Sequence, residues 1–303
     1  MEITQRGKCA LCRQNKELQL SHIVPHFVGR KLKKTALGNI RVTNEPNKVI
    51  QDIEKHFMLC HDCEEAFSVR ESWFANQIFN PYQDKTKIEF DYDENLTRFI
   101  VSLSWRSLYL DLDEFSVDPD FNQDILMTLF QSEQVMRDYL LEKRDDIATI
   151  ENHIFFLDRI RSATKLNVAQ NPSVAMHRSI SSYTVYYGKT SFTVSNLMGI
   201  MIVTFYSMDT NEQWSNTKIE LLGGTLKAQN QRMASVVGNE IQHWMDEGTE
   251  AQGKLSEAQK KKIEDNMRKA GDKIKNYPIF QDLDDDMKLS QLNNNDAYDE
   301  DSN

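Results

Sequence analysis

All four cysteines of this 303-residue chain fall within its first 63 residues, in two pairs: Cys9-Ala10-Leu11-Cys12 and Cys60-His61-Asp62-Cys63. Two residues between cysteines let a tight knuckle point both thiolates at one ion, and two such knuckles complete a tetrahedral site. Met1-Glu2-Ile3-Thr4-Gln5-Arg6 is followed by no apolar block, and no run of about 18 uncharged apolar residues occurs. A cytoplasmic protein without a membrane segment is therefore expected, and there thiols stay reduced. Clustering then favours a structural Zn2+ on Cys9, Cys12, Cys60 and Cys63 over disulfides or redox pairs. The ion would hold together a small unit whose apolar core is thin, leaving the rest of the chain to fold separately.

Three stretches of different character are expected. Residues 1–83 form the zinc-bound unit, closed by the turn signal Asn80-Pro81-Tyr82. Within it Leu18 to Val24 alternates like a strand, Pro25 can open a helix, and Cys63 to Ile78 carries Phe67, Phe74 and Ile78 at helical spacing. Residues 84–280 form an α+β unit. Helices are expected near 94–112 and 121–144, then four or five antiparallel strands between His153 and Leu226 (154–157, 183–187, 191–194, 200–206, 218–222), then helices over 229–246 and 256–274. Gly223-Gly224 reads as a turn, because the order of a phosphate-binding loop is missing. Residues 281–303, rich in Asp and Asn, are expected to be a disordered acidic tail.

Between the knuckles lies Ser21-His22-Ile23-Val24-Pro25, followed by Asn44 and Asn47 and then by Met58-Leu59-Cys60-His61-Asp62-Cys63-Glu64. Over residues 7–75 the chain resembles the HNH endonuclease family, whose ββα-metal fold is often framed by a pair of zinc knuckles. The resemblance implies that His22 is the general base activating water against a phosphodiester. Ser21 falls where the family usually has a metal-binding Asp, and Glu64 where it has a metal-binding His or Asn. Asn44 or Asn47 would brace the motif. It implies Mg2+ or Mn2+ as catalytic ion if the chain is active; the departures at Ser21 and Glu64 either move the carboxylate from strand to helix or mark a non-cleaving relative. Relatives of this kind occur in bacterial restriction, mobile-element and anti-phage systems.

Net charge is −10, with 36 Lys and Arg against 46 Asp and Glu, but it is unevenly spread. Residues 1–50 hold ten basic side chains and three acidic ones, a balance of +7, and residues 281–303 balance to −7. Arg30, Lys31, Lys33 and Lys34 follow directly on His22 and would neutralise phosphates. His26, His56 and His61 lie close enough in sequence to join the site, His56 first as a spare ligand, but read rather as phosphate contacts or surface residues; His153, His177 and His243 read as structural.

The favoured expectation is an α+β protein with an N-terminal HNH-like ββα unit, acting as a metal-dependent endonuclease on nucleic acid, DNA before RNA. The alternative is a zinc-finger adaptor that holds nucleic acid without cutting it and binds a protein through residues 84–280; Ser21 in place of an acid favours it. A purely structural interaction protein is the third reading.

Overall fold

In the N-terminal segment, β1 (Gln5–Lys8) and β2 (Asn15–His22) form an antiparallel hairpin that ends, at Lys8 opposite Asn15, on the first knuckle. Helix α1 (His26–Thr35) begins after Pro25, whose ring fixes the entry angle, and buries Val28, Gly29 and Leu32. A two-residue ladder of β3 (Ile40–Arg41) and β4 (Val49–Ile50) follows. Strand β5 (Lys55–Cys60) then returns along β2, from Leu18 opposite Cys60 to His22 opposite Lys55, and runs straight into α2 (His61–Phe74). The sheet order is β1-β2-β5. This computed structural model describes residues 5–36, 38–157 and 172–288.

The helix does not stop at the Asn80-Pro81-Tyr82 signal. After α2 the chain widens into a π-turn over Ala75–Phe79 and continues as α3 (Asn80–Gln83). A π-turn relaxes the clash of a proline ring with the preceding turn, so Pro81 is accommodated rather than terminating the helix.

Strand β6 (Glu89–Asp93) leads into α4 (Glu94–Phe115), capped by Asp93 accepting from the Asn95 N–H. Residues Phe99 to Leu108 of α4 are buried without interruption, so the helix must be wrapped on every side. On one side α2 supplies Phe74, stacked on Phe99 at 4.0 Å, and Phe67, edge-on to Trp105. On another, α5 (Gln123–Leu140) supplies buried Glu133, which accepts from Trp105 Nε1 at 2.9 Å.

The third side is an antiparallel sheet of β7 (Glu151–Phe156), β8 (Ile180–Tyr187), β9 (Thr190–Leu197) and β10 (Ile200–Ser207), in the order β7-β10-β9-β8. Every residue of β9 is buried, polar ones included. Hydroxyls satisfy one another along the α4 face: Ser107 with Ser182, Ser182 with Ser195, Ser104 with Thr204, and Thr193 with Tyr206. The opposite face presents Phe192, Val194, Val203 and Phe205.

The short helix α6 (Pro172–His177) precedes this sheet's β8. Two further ladders follow the sheet. Strand β11 (Gln213–Ser215) pairs with β13 (Arg232–Ala234), and β12 (Gly223–Lys227) pairs with β6. Gly223-Gly224 therefore opens a strand and is not a free turn. Gly223 has φ +142°, and a Cβ there would meet the Tyr92 carbonyl oxygen at 2.6 Å. The strand expected over 218–222 is reduced to a single bridge, His153 with Lys218. The helix expected from Gln229 begins only at α7 (Gly238–Gly253), because Arg232–Ala234 is taken by β11. Ile241, Trp244 and Met245 of α7 cover the outer sheet face. Helix α8 (Glu257–Ala270) closes with a 3-10 turn over Gly271–Asn276.

The expected boundary at residue 83 does not separate two cores. One apolar cluster joins Cys9, Leu11, Leu59 and Cys60 to Trp105, Leu129 and Tyr139; a second joins Val28, Leu32 and Phe74 to Leu103, Phe156 and Ile202. Nor is the segment after 280 wholly a solvated tail. Residues 278–288 are helical, and two of their acids are buried in contacts. Asp286 accepts from the Ser173 and Val174 N–H groups at the start of α6, and Asp282 pairs with His177 at 3.0 Å. Asp284 and Asp285 are exposed beside Lys288, and the last four acids of the tail, Asp296, Asp299, Glu300 and Asp301, lie outside the described residues. Among the described residues no helix is long and apolar enough to cross a membrane.

Candidate metal centre and the His22 motif

The two knuckles meet because β1-β2 and β5-α2 are neighbours. Ala10 N–H donates to the Met58 carbonyl and Cys60 N–H donates to the Cys9 sulfur. The chain leaves the first knuckle through Arg13 in the left-handed region at φ 63°. The sulfurs of Cys9, Cys12, Cys60 and Cys63 all lie within 4.8 Å of one another, with Cys12 and Cys60 at 3.8 Å. A tetrahedron with Zn–S bonds of about 2.3 Å has edges of about 3.8 Å, so the cluster fits a structural metal such as zinc. The Cys63 thiol's hydrogen bond holds Cys9 down at about 4, while that same contact, with burial, pushes Cys63 up, and burial pushes Cys12 up. Four thiolates in this space form together only around a positive ion.

The second group of functional interest lies at the far end of β2. Ser21 is fully buried and donates its hydroxyl to Glu64 Oε2, in the first turn of α2, at 2.6 Å. The two residues to which the sequence resemblance gives metal-ligand positions are thus brought together across the strand and the helix. The next side chain, His22, turns the other way. Its Nε2 lies 3.1 and 3.2 Å from the two carboxylate oxygens of Asp52, and its ring stacks on that of His26 with centroids 4.9 Å apart. Burial works against the charge on Asp52, but hydrogen bonds from Lys55 and His22 outweigh it and hold the carboxyl down at about 2. Burial, and then the neighbouring His22, push His26 below the ordinary histidine value.

Asp52, Glu71 and Arg106 were not legible as site residues. Asp52 sits in the loop before β5, and only the pairing of His22 with Lys55 brings that loop alongside the end of β2. Arg106, 1% exposed, donates to the His22 carbonyl at 2.8 Å and pairs with Glu71 of α2.

The candidate loop asparagines are not joined to this group. Asn47 donates to the Lys254 carbonyl and accepts from Ser256 N–H, so its amide anchors the start of α8; Asn44 is exposed and, among the described residues, bonds to neither Ser21, His22 nor Glu64. The loop is drawn away because Arg41 beside it also bonds Gln259 of α8.

On α1 the positive charges divide. Lys31 is paired with Asp84 at 2.6 Å and half-buried, which removes it from the solvent face. Arg30, Lys33 and Lys34 are exposed, and at helical spacing they continue a face that starts at exposed His26. Lys33 reaches Gln51 at 3.5 Å; Arg30 and Lys34 make no ion pair among the described residues. His56 and His61 are exposed beside Glu54 and Glu65. His153, by contrast, is buried between Thr217 and Glu151, a structural placement.

No family model, curated protein or solved structure matches this chain.

Proposed function

We propose that the chain is a metal-dependent endonuclease of the HNH type, stabilised by zinc at its four cysteines. The observation that carries this reading is the Ser21–Glu64 contact, which links the end of β2 to the first turn of α2 immediately beside His22. Strand, returning strand and helix stand in the order the resemblance implies. His22 takes the proton of the attacking water, whose oxygen bonds to phosphorus as the bond to the ester oxygen breaks; that leaving oxygen takes a proton from solvent. Glu64 and Ser21 offer a charged and a neutral oxygen, donors suited to Mg2+ or Mn2+. Such an ion would offset the charge building on the phosphate. Arg30, Lys33 and Lys34 would hold the backbone of the nucleic acid, DNA by preference, with strong salt dependence.

The non-catalytic adaptor remains the second reading, and one observation favours it. Ser21 is fully buried, its hydroxyl is already given to Glu64, and no second carboxylate stands beside that pair among the described hydrogen bonds. Incubation with supercoiled plasmid and with single-stranded DNA, in Mg2+ or Mn2+, separates the two. Cleavage lost in His22→Ala and weakened more in Glu64→Ala than in Ser21→Ala supports the nuclease. Salt-sensitive binding without any cleavage supports the adaptor.

A further inference from the structure

His22, His26 and Asp52 come from three segments: the end of β2, the first position of α1 and the loop before β5. Each offers a ligand atom within 4.8 Å of the other two. None of the three belongs to the four-cysteine centre or to the Ser21–Glu64 pair. We infer that these residues form a second metal site, one that takes a borderline transition-metal dication such as nickel, cobalt or zinc.

The donor set selects the ion. Two imidazoles and one carboxylate suit nickel, zinc, cobalt or copper, whereas magnesium and calcium want oxygen alone. Bonds of about 2.1 Å place neighbouring ligand atoms about 3 Å apart, and His22 Nε2 lies 3.1 Å from Asp52 Oδ2. The two anchors are already oriented. Asp52 Oδ1 accepts from the Ile53 N–H at 2.9 Å, and the His22 carbonyl is held by buried Arg106. His26 is exposed, so its ring is free to turn from its stack on His22 and present a nitrogen to the ion. Partial exposure of His22 and Asp52, 19% and 31%, leaves room for water to complete the coordination.

One positive group already competes for the carboxylate. Lys55 Nζ lies 2.9 Å from Asp52 Oδ2, the oxygen nearest His22. A dication entering the site replaces that ammonium, so Lys55 sets its affinity. A consequence rests on the nuclease reading above: an ion on His22 Nε2 occupies the lone pair a general base needs. Nickel or zinc would then inhibit cleavage that magnesium supports.

The test is nickel titration of the full-length, zinc-loaded protein by calorimetry, with metal content measured afterwards. One nickel is expected beside one retained zinc. His26→Asn and Asp52→Asn should each weaken nickel binding at least tenfold, and Lys55→Met should tighten it, all with zinc content unchanged. No nickel bound in the wild type, or equal affinity in wild type, His26→Asn and Asp52→Asn, overturns the site. Plasmid that is never cut while nickel binds as expected defeats the nuclease reading and leaves the site standing.

Discussion

Arg106, in the middle of α4, donates a 2.8 Å hydrogen bond to the backbone carbonyl of His22, and the same nitrogen pairs at 2.8 Å with Glu71 of α2. One buried guanidinium thus ties the end of β2, the helix after the second knuckle and the central helix of the body into one contact. Arg106→Met removes the cation and leaves Glu71 half-covered without its partner. Breaking a buried pair in this way costs about 3 kcal/mol. Chemical denaturation should read that loss, and Arg106→Lys should recover part of it, because an ammonium keeps the charge but not the fork.

Metal removal should act on the whole chain. Arg13, next to the first knuckle, reaches Tyr109 of α4 and the buried Glu133 of α5, and the cysteines share an apolar cluster with Trp105 and Tyr139. Chelation, or Cys60→Ser, is therefore expected to lower one cooperative thermal transition by more than about 10 °C. Two transitions, with only the smaller one shifted, would restore the picture of an independent N-terminal unit.

Asp111 of α4 accepts from the Thr184 N–H at 2.6 Å, and burial, opposed by that hydrogen bond, pushes its carboxyl up to about 6. An acid whose folded value lies above its unfolded value of about 4 contributes stability below pH 4. That contribution is lost as pH rises to 6. For a partly exposed group the change amounts to about 2 kcal/mol. Asp111→Asn keeps an acceptor for Thr184 but cannot ionise. Unfolding free energies between pH 4 and 7.5 should therefore fall more steeply in the wild type than in the variant, and parallel curves would contradict the assignment.

The segment after Phe280 should matter for stability. Asp286, 1% exposed, caps α6 through Ser173 and Val174, and Asp282 holds His177. Asp286→Ala should cost about 1 kcal/mol, the usual loss on removing a helix N-terminal acceptor. Truncation after Phe280 should cost more, since both contacts go. An unchanged melting temperature in the truncated chain would mean that the segment only adds charge.

The four-cysteine cluster was the most legible part of the protein, because cysteine spacing is a local property and four thiols without spares admit few arrangements. The long helices around Trp105 and Leu129, and the strands from Tyr183 to Tyr206, were equally readable from periodicity, which reports which face a residue shows to the core. Propensity misled at Gln229 to Val237 and at Lys218 to Leu222, where pairing with a distant strand, or its lack, decides the outcome. Pro81 misled because a π-turn upstream makes room for it. The rest depended on contacts between residues far apart in the chain. His22 could be picked out by its motif, but Asp52 becomes its partner only through the β2–β5 register, Arg106 only because α4 crosses both, and Asn47 is lost to the motif because α8 claims its amide. A sequence states which side chains can ionise, ligate or bury. Which of them meet is set by the packing of segments that local patterns do not connect.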